Sequence, residues 1–260
     1  MRTLLAAVIV LSCALPATAG TLEELTPYFS TQYFTWQEHI NGRRLLKEEG
    51  ALFSAGARAG AVIDSSFTLR GKGELFGSEV GYRGETQAPD SVPVHTRVTY
   101  LGTNAELDLG YRVSPAPVVV EPFGGIGYRY WLRDLQDTTT PDGTRVYGYT
   151  EAWSVGYCRL GARAATSAGG ARLTAAGGAK YPFYVGNTVD FAGSGDTTFH
   201  PKGRVSGFAE AGVSYRSLSL ALLYEGFRFR QSDTKTVQGT AYLQPDSSSD
   251  IFGLRLGWTF

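Results

Sequence analysis

Three histidines are the first places in this sequence to look for acid–base or nucleophilic chemistry. No serine stands within two positions of His95, so the sequence offers no local histidine–serine pair of the kind that activates a nucleophile. His200 follows Asp190 and Asp196 in a polar stretch, but no acid stands two residues before it to help activate a water. The histidine contexts therefore predict that the protein is not an enzyme.

Metal and cofactor binding are equally weakly supported. Cys158 is the only cysteine after residue 19, which excludes an internal disulfide framework and gives no zinc-ligand spacing. Asp134, Asp137 and Asp142 share one polar stretch and could contact calcium, although they lack the order of an EF-hand. The glycine-rich run 124–127 lacks the lysine and helix start of a phosphate-binding loop. We expect no metal and no cofactor.

Charged residues at alternate positions are the other candidates for function. In 101–112 the leucines and Tyr111 share one parity while Glu106, Asp108 and Arg112 share the other, so a strand there would have one apolar and one charged face. Residues 118–133 show the same alternation. The residues expected on such charged faces are Arg70, Lys72, Glu74, Glu106, Asp108, Arg112, Glu121, Arg129, Arg133, Arg172, Lys180, Glu210 and Arg255.

The elements that position these residues are predicted to be ten β-strands. Turn-rich breaks divide the chain near 28–41, 44–62, 66–85, 93–113, 117–134, 145–165, 170–184, 203–216, 218–232 and 249–260. Tight connections alternate with long polar ones, apart from the short Asn41-Gly42 hairpin signal among the long set. Short turns at one end and longer loops at the other are typical of bacterial transmembrane barrels.

The compartment is predicted from the start of the chain and from its composition. Residues 1–19 have a positive start, an apolar run and an Ala-Thr-Ala cleavage motif, and so are interpreted as a signal peptide, with 20–260 as one barrel domain. Lipoprotein processing at Cys13 is an alternative with a poorly fitting motif. Lys and Arg balance Asp and Glu at 24 each, so nucleic acid is not an expected partner. No later stretch is apolar enough for a spanning helix, whereas a closed barrel could span a bilayer.

The charged faces of such a barrel are predicted to point into its lumen. A Lys or Arg against lipid at the bilayer midplane costs about 2 to 4 kcal/mol, and buried opposite charges should pair. Register counting places Glu121 close to Arg112, and Glu106 between Arg70 and Lys72. We expect salt bridges that fill a narrow lumen, with the glycines of 124–127 facing it beside aromatic neighbours.

Two strands have no clear facing from the sequence. In the sixth, Trp153 and Tyr157 share parity with Arg159, and in the ninth, Leu218 shares parity with Arg228. Either a β-bulge switches the faces or the charged ends project beyond the bilayer, and the sequence leaves both open.

The last strand has the strongest membrane pattern. An apolar residue stands at every second position of its end, namely Phe252, Leu254, Leu256, Trp258 and Phe260. With the signal peptide and the alternating strands, the chain resembles the bacterial outer-membrane β-barrel proteins along its whole length after residue 19. The resemblance implies that this strand is an assembly signal for the barrel assembly machinery, with Phe260 as the key residue. The expected location is the cell outer membrane, with its lipid and lipopolysaccharide as partners.

The expected fold is all-β, a transmembrane antiparallel up-and-down barrel with short periplasmic turns and longer extracellular loops. Ten strands give a lumen little wider than side chains can fill. We expect a structural or surface-interaction protein whose loop ligand is unknown; the alternative is a narrow passive channel for ions or small solutes. An outer-membrane hydrolase is a third, weaker hypothesis.

Overall fold

The computed structural model describes residues 21–64, 66–85, 92–113, 117–140, 142–190 and 195–260. The predicted signal peptide, 1–19, lies outside the described residues. Ten strands form the wall: β1 Thr21–Ile40, β2 Arg43–Val62, β3 Phe67–Glu85, β4 Pro93–Tyr111, β5 Val118–Leu135, β6 Thr150–Ala168, β7 Ala171–Asp190, β8 Ser206–Tyr215, β9 Leu218–Arg230 and β10 Asp246–Trp258. The predicted all-β class and the predicted strand count are confirmed.

The ten strands close into a barrel. Each pairs antiparallel with the next in the chain, and β10 returns to pair with β1, with Tyr28 opposite Gly257 and His39 opposite Asp246. Near the start of β8, Asp196–Phe199 folds back on β7, and Lys202–Arg204 pairs with β9. Closure satisfies the backbone groups that would otherwise lie at a sheet edge.

The described residues contain no helix with the length and apolar character needed to cross a membrane.

The two ends of the barrel differ in their connections. At the short-turn end β2 connects to β3, β4 to β5, β6 to β7 and β8 to β9, and at the long-loop end β1 connects to β2, β3 to β4, β5 to β6, β7 to β8 and β9 to β10. Asn41 and Gly42 have φ of +52° and +79°, the pair of positive values that a type I′ hairpin requires. Two long loops contain small hairpins, Thr138–Thr139 with Arg145–Val146 and Lys235–Val237 with Thr240–Tyr242.

Outward-facing residues form an apolar belt at the short-turn end of the wall. On β4, Leu101, Leu107, Leu109 and Tyr111 are exposed while Asn104 is buried inside. Nearer the long loops the outward positions become polar, as at Arg97 on the same strand. The belt corresponds to the outward-facing apolar band that contacts lipid in transmembrane barrels, and the polar part of the wall lies on its long-loop side.

The two strands whose facing the sequence left open, β6 and β9, differ in how their charged residues are placed. On β6, neither alternative applies, because Trp153 and Tyr157 are both 0 % exposed and face the lumen together with Arg159. On β9, Leu218 faces outward and Arg228 lies toward the long-loop end, beyond the apolar belt. A β-bulge does occur, but in β7: Gly156 pairs with Tyr184 and Tyr157 with Pro182, so the residue between them is extra.

Candidate functional site

The lumen is the candidate site, and it has two parts. The plug fills the half near the long loops and is built around Trp36, Trp131, Trp153, Phe229 and Arg133. The vestibule is a cavity of about 970 Å³ that extends to the short-turn end.

Aromatic rings form most of the plug. Trp131 and Trp153 stack with ring centroids 5.4 Å apart, and Trp36 meets Trp153 edge-on at 5.0 Å. Phe229 lies 5.6 Å from the Trp153 ring. Edge-on and stacked contacts at these separations are the favourable ones for aromatic rings. The sequence predicts that charged residues fill this space, whereas aromatic side chains occupy much of it.

Arg133 is the charged centre of the plug, surrounded by three carboxylates. Its Nη1 lies 2.7 Å from Oε1 of Glu151 and 3.7 Å from Oε1 of Glu38, and its Nε donates to Glu48 Oε1 at 3.0 Å. The Arg133 and Glu48 side chains are both 0 % exposed. Buried charges persist only where partners compensate for lost water, and three carboxylates converge on this guanidinium.

Hydrogen bonds tie this ion cluster to the aromatic rings. Trp36 Nε1 donates to Glu38 at 2.9 Å, and Trp153 Nε1 donates to Glu151 at 2.7 Å. The Tyr100 hydroxyl donates to Glu48. The plug is therefore one connected polar and aromatic unit that spans several strands of the barrel.

The vestibule has one charged wall and one wall of small residues. Lys72, Glu106, Glu121 and Arg163 belong to the charged wall on β3 to β6, and the facing wall on β7 to β9 includes Thr174, Ala176, Gly212 and Ala221. Small side chains leave the space that large ones fill in the plug. The vestibule is therefore an open cavity with many charged side chains in its lining.

Ion pairs link the charged wall across neighbouring strands. Glu121 lies 2.6 Å from Arg163, 3.3 Å from Arg70 and 3.8 Å from Arg112. Glu106 lies 3.3 Å from Lys72 and also pairs with Arg159, whereas Arg70 pairs with Glu24 and Glu121. The contact between Glu121 and Arg112 is thus present, and Glu106 bridges Lys72 to Arg159 rather than to Arg70.

The other predicted charged residues also face the lumen. Glu74 accepts a hydrogen bond from the Tyr28 hydroxyl at 3.0 Å, and Asp108 pairs with Arg163 and Arg159. Other ion pairs join Arg129 to Glu225, Lys180 to Glu225, Glu210 to Arg58 and Arg255 to Glu210. Arg172 lies at the exposed rim of the vestibule. Several pairs cross the lumen, since Arg58 is on β2 and Glu210 is on β8.

Several charged residues that face the lumen were not among the predicted ones, namely Glu38, Glu48, Arg58, Glu151, Arg159, Arg163 and Glu225. The alternation of residues along each strand contains the information needed to find them. Arg159 and Arg163 share the parity of Trp153, and a face with both aromatic and charged residues fits neither a lipid-facing side nor a purely charged side of a strand. Because the lumen contains an aromatic plug, aromatic and charged residues can share the inward face of β6.

Of the three aspartates that were candidates for calcium, Asp137 and Asp142 lie in the long loop after β5, whereas Asp134 lies in β5 and accepts a hydrogen bond from the Thr150 hydroxyl. Asp137 accepts hydrogen bonds from Arg145 Nη2 and the Gly148 backbone N–H, each at 2.8 Å, and the Arg145 contact is the larger cause that lowers the pKa of Asp137. Asp142 accepts from the hydroxyls of Thr140 and Thr144. Among the described residues, no group of three or more His, Cys, Asp and Glu is arranged to hold a metal.

His200 contacts backbone rather than a catalytic partner. Its Nδ1 lies 3.1 Å from the carbonyl oxygen of Val185, and its ring lies 6.4 Å from the ring of Tyr184. A backbone carbonyl can orient an imidazole but cannot act as a nucleophile or titrate.

The terminal strand presents its predicted apolar residues to the outside. The exposed fractions are 55 % for Phe252, 42 % for Leu254, 56 % for Leu256, 51 % for Trp258 and 78 % for Phe260. Backbone bonds continue the strand to its end, because Thr259 N donates to Ser217 O at 2.7 Å and Phe260 N donates to Leu25 O at 3.0 Å.

Comparison with solved structures places this fold among bacterial outer-membrane β-barrels. Outer membrane protease OmpT from Escherichia coli is 11 % identical, with a TM-score of 0.52 over 94 % of this chain and 99 % of that one. The outer membrane channel COG4313 from Pseudomonas putida F1 is 10 % identical, with a TM-score of 0.43 over 94 % and 99 %. The β domain of the Bordetella autotransporter BrkA is 15 % identical, with a TM-score of 0.42 over 93 % and 100 %. These likenesses concern the fold alone.

No family model and no curated protein sequence matches the chain.

Proposed function

We propose that this outer-membrane barrel is a non-enzymatic structural or surface-interaction protein whose lumen is closed to solutes. The observation that carries the proposal is the plug, in which Trp36, Trp131 and Trp153 are at most 4 % exposed and Arg133 is bound by three carboxylates. A path for hydrated ions would require these stacked rings to separate and the buried ion pairs to break. Interaction would then occur at the long loops, which a rigid barrel holds in place.

The proposal includes the orientation of the barrel in the outer membrane. The apolar belt lies in the lipid, the short-turn end faces the periplasm and the long loops face outward. The signal peptide 1–19 is cleaved on export, and the outward-facing terminal strand is the segment read by the barrel assembly machinery.

A narrow passive channel is the second candidate, and the vestibule favours it. A charged cavity of about 970 Å³ that is open at one end provides half of a conduction path. Only rearrangement of the plug would complete such a path.

Single-channel recording in planar bilayers separates these two functions. We expect the refolded wild-type barrel to give no stable, uniform conductance steps, and the double variant W36A/W153A, which removes two plug rings, to give measurable ones. W258A is the matched control, because it removes an equally large ring from the lipid face, where Trp258 is 51 % exposed. Uniform openings from the wild type would overturn the closed-lumen proposal in favour of the channel.

A further inference from the structure

Four cations face outward together where the segment Lys202–Arg204 pairs with the end of β9. Lys202 lies directly opposite Arg230, and Arg204 lies directly opposite Arg228. Phe229, between the two arginines, is 1 % exposed and packs into the plug, so its neighbours along the strand point away from the lumen. We call Lys202, Arg204, Arg228 and Arg230 the cation array.

Two like-charged cross-strand pairs in succession are unfavourable by themselves. Charges of the same sign directly opposite on adjacent strands destabilise a sheet. Neighbouring strands are about 4.8 Å apart and alternate residues of one strand about 7 Å apart, so the Cα atoms of the four residues lie at the corners of a small rectangle. Such an arrangement costs stability unless an anion lies among the cations.

Carboxylates of the protein neutralise little of the array. Asp250 accepts from Arg228 Nη2 at 2.6 Å and also from the Tyr224 hydroxyl at 2.8 Å. Asp246, on the same strand, accepts the backbone N–H of Gln231 at 2.8 Å. Within the described ranges, Lys202, Arg204 and Arg230 form no ion pair with a carboxylate.

Other outward cations near the long loops are arranged differently. Arg43 pairs with Glu85, Arg83 with Glu49, and Arg97 with Glu79 at 2.5 Å. Each of these arginines pairs with a carboxylate, which Arg83 shares with Lys47, so the surface at this end is not uniformly short of anions. Lys202, Arg204 and Arg230 differ from these three arginines in having no carboxylate partner among the described residues.

The array lies immediately beyond the apolar belt. Below it, Tyr224 and Phe252 face outward with ring centroids 5.0 Å apart, and Phe252 is 55 % exposed. Tyrosine and phenylalanine at this position are typical of the boundary between the lipid tails and the headgroups. Anionic groups attached to the lipids of the outer leaflet would meet the protein at this height.

We propose that the cation array binds the phosphate groups of a lipid A headgroup of lipopolysaccharide. Arginine forks and a lysine ammonium match phosphate oxygens with charge-assisted hydrogen bonds, and the Tyr224 and Phe252 rings lie against the first part of the acyl chains. The inference rests on the outer-membrane placement proposed above but does not depend on whether the lumen conducts.

Binding of purified lipid A to the full-length barrel in phosphatidylcholine nanodiscs tests this site. We expect the triple variant K202Q/R204Q/R230Q to lose about tenfold or more in affinity for bisphosphorylated lipid A, because several charge-assisted hydrogen bonds are removed. The matched control R43Q/R83Q/R97Q removes three cations that already have carboxylates, and its affinity should stay within about threefold. Wild-type binding should fall by a similar factor when dephosphorylated lipid A is the probe.

Thermal unfolding in a zwitterionic detergent gives an independent readout. Lipid A should raise the Tm of the wild type and of the control variant but not that of the triple variant, and without lipid A the triple variant should be at least as stable as the wild type, since the repulsion is relieved. If the triple variant does not refold, R204Q alone should show the same direction of change in both measurements. Equal losses in the two triple variants, or equal binding of dephosphorylated lipid A by the wild type, would overturn the assignment. Either result would leave the conductance experiment, and so the closed lumen, unaffected.

Discussion

At the scale of single residues, Arg133 is the most consequential position in the lumen. Its guanidinium contacts Glu38, Glu48 and Glu151 from three other strands, and none of the four side chains is more than 5 % exposed. Removing one partner of a buried ionic cluster is far costlier than removing a surface charge, because the remaining ions stay buried without compensation. The Arg133 side chain should therefore contribute to both the stability and the closure of the barrel.

Replacing Arg133 by glutamine should lower the free energy of unfolding by about 3 to 5 kcal/mol, since Glu48 and Glu151 lose their cation in a dry site. Urea unfolding of the refolded barrel in lipid vesicles measures this. R97Q is the control, because the Arg97 side chain is 70 % exposed and its pair with Glu79 should contribute at most about 1 kcal/mol. A loss in R133Q no larger than in R97Q would contradict this account of the cluster.

At the level of single elements, the terminal strand β10 forms part of the wall, and the resemblance to outer-membrane barrels predicts that it is also an assembly signal. Its outward residues belong to the apolar belt, and Phe260, two residues beyond its end, is 78 % exposed. A side chain so exposed contributes little to packing within the finished barrel. A large effect of this residue would therefore have to arise during assembly.

The variant F260A should accumulate as assembled outer-membrane barrel several-fold less than the wild type in cells, yet refold in detergent with an unchanged Tm. Heat-modifiable migration on SDS gels measures assembly, and thermal unfolding measures stability. F53A removes another outward-facing aromatic residue, 47 % exposed on β2, and should assemble normally. Normal assembly of F260A would refute the assignment of Phe260 as part of the assembly signal.

At the scale of the whole molecule, the barrel is asymmetric along its axis. Large aromatic side chains close the lumen near the long loops, and small residues such as Ala176 leave space near the short turns. Water and small ions should therefore reach the vestibule from one side and stop at the plug.

Cysteine accessibility tests this asymmetry directly. In a C158S background, which removes the exposed free thiol, A176C in the vestibule should react rapidly with a charged methanethiosulfonate reagent. V155C should stay unreactive, because Val155 is 0 % exposed within the plug. The extent of labelling is measured by mass spectrometry of the folded barrel. Comparable labelling at both positions would show that the plug admits solutes.

The class of fold, the number of strands and the lipid-facing residues of most strands can be predicted from the amino-acid sequence. Alternation with a period of two is a local property of a strand, and an Asn41-Gly42 turn or an apolar run ending at Phe260 needs no distant contact to be recognised. The direction of the Trp153 and Tyr157 side chains and the pairing of the lumen charges depend on contacts between strands that are distant in the chain. An aromatic side chain suits a dry lumen as well as it suits lipid, so parity could not distinguish the two. Contacts such as Arg58 with Glu210 exist only because closure of the barrel brings β2 and β8 face to face across the lumen.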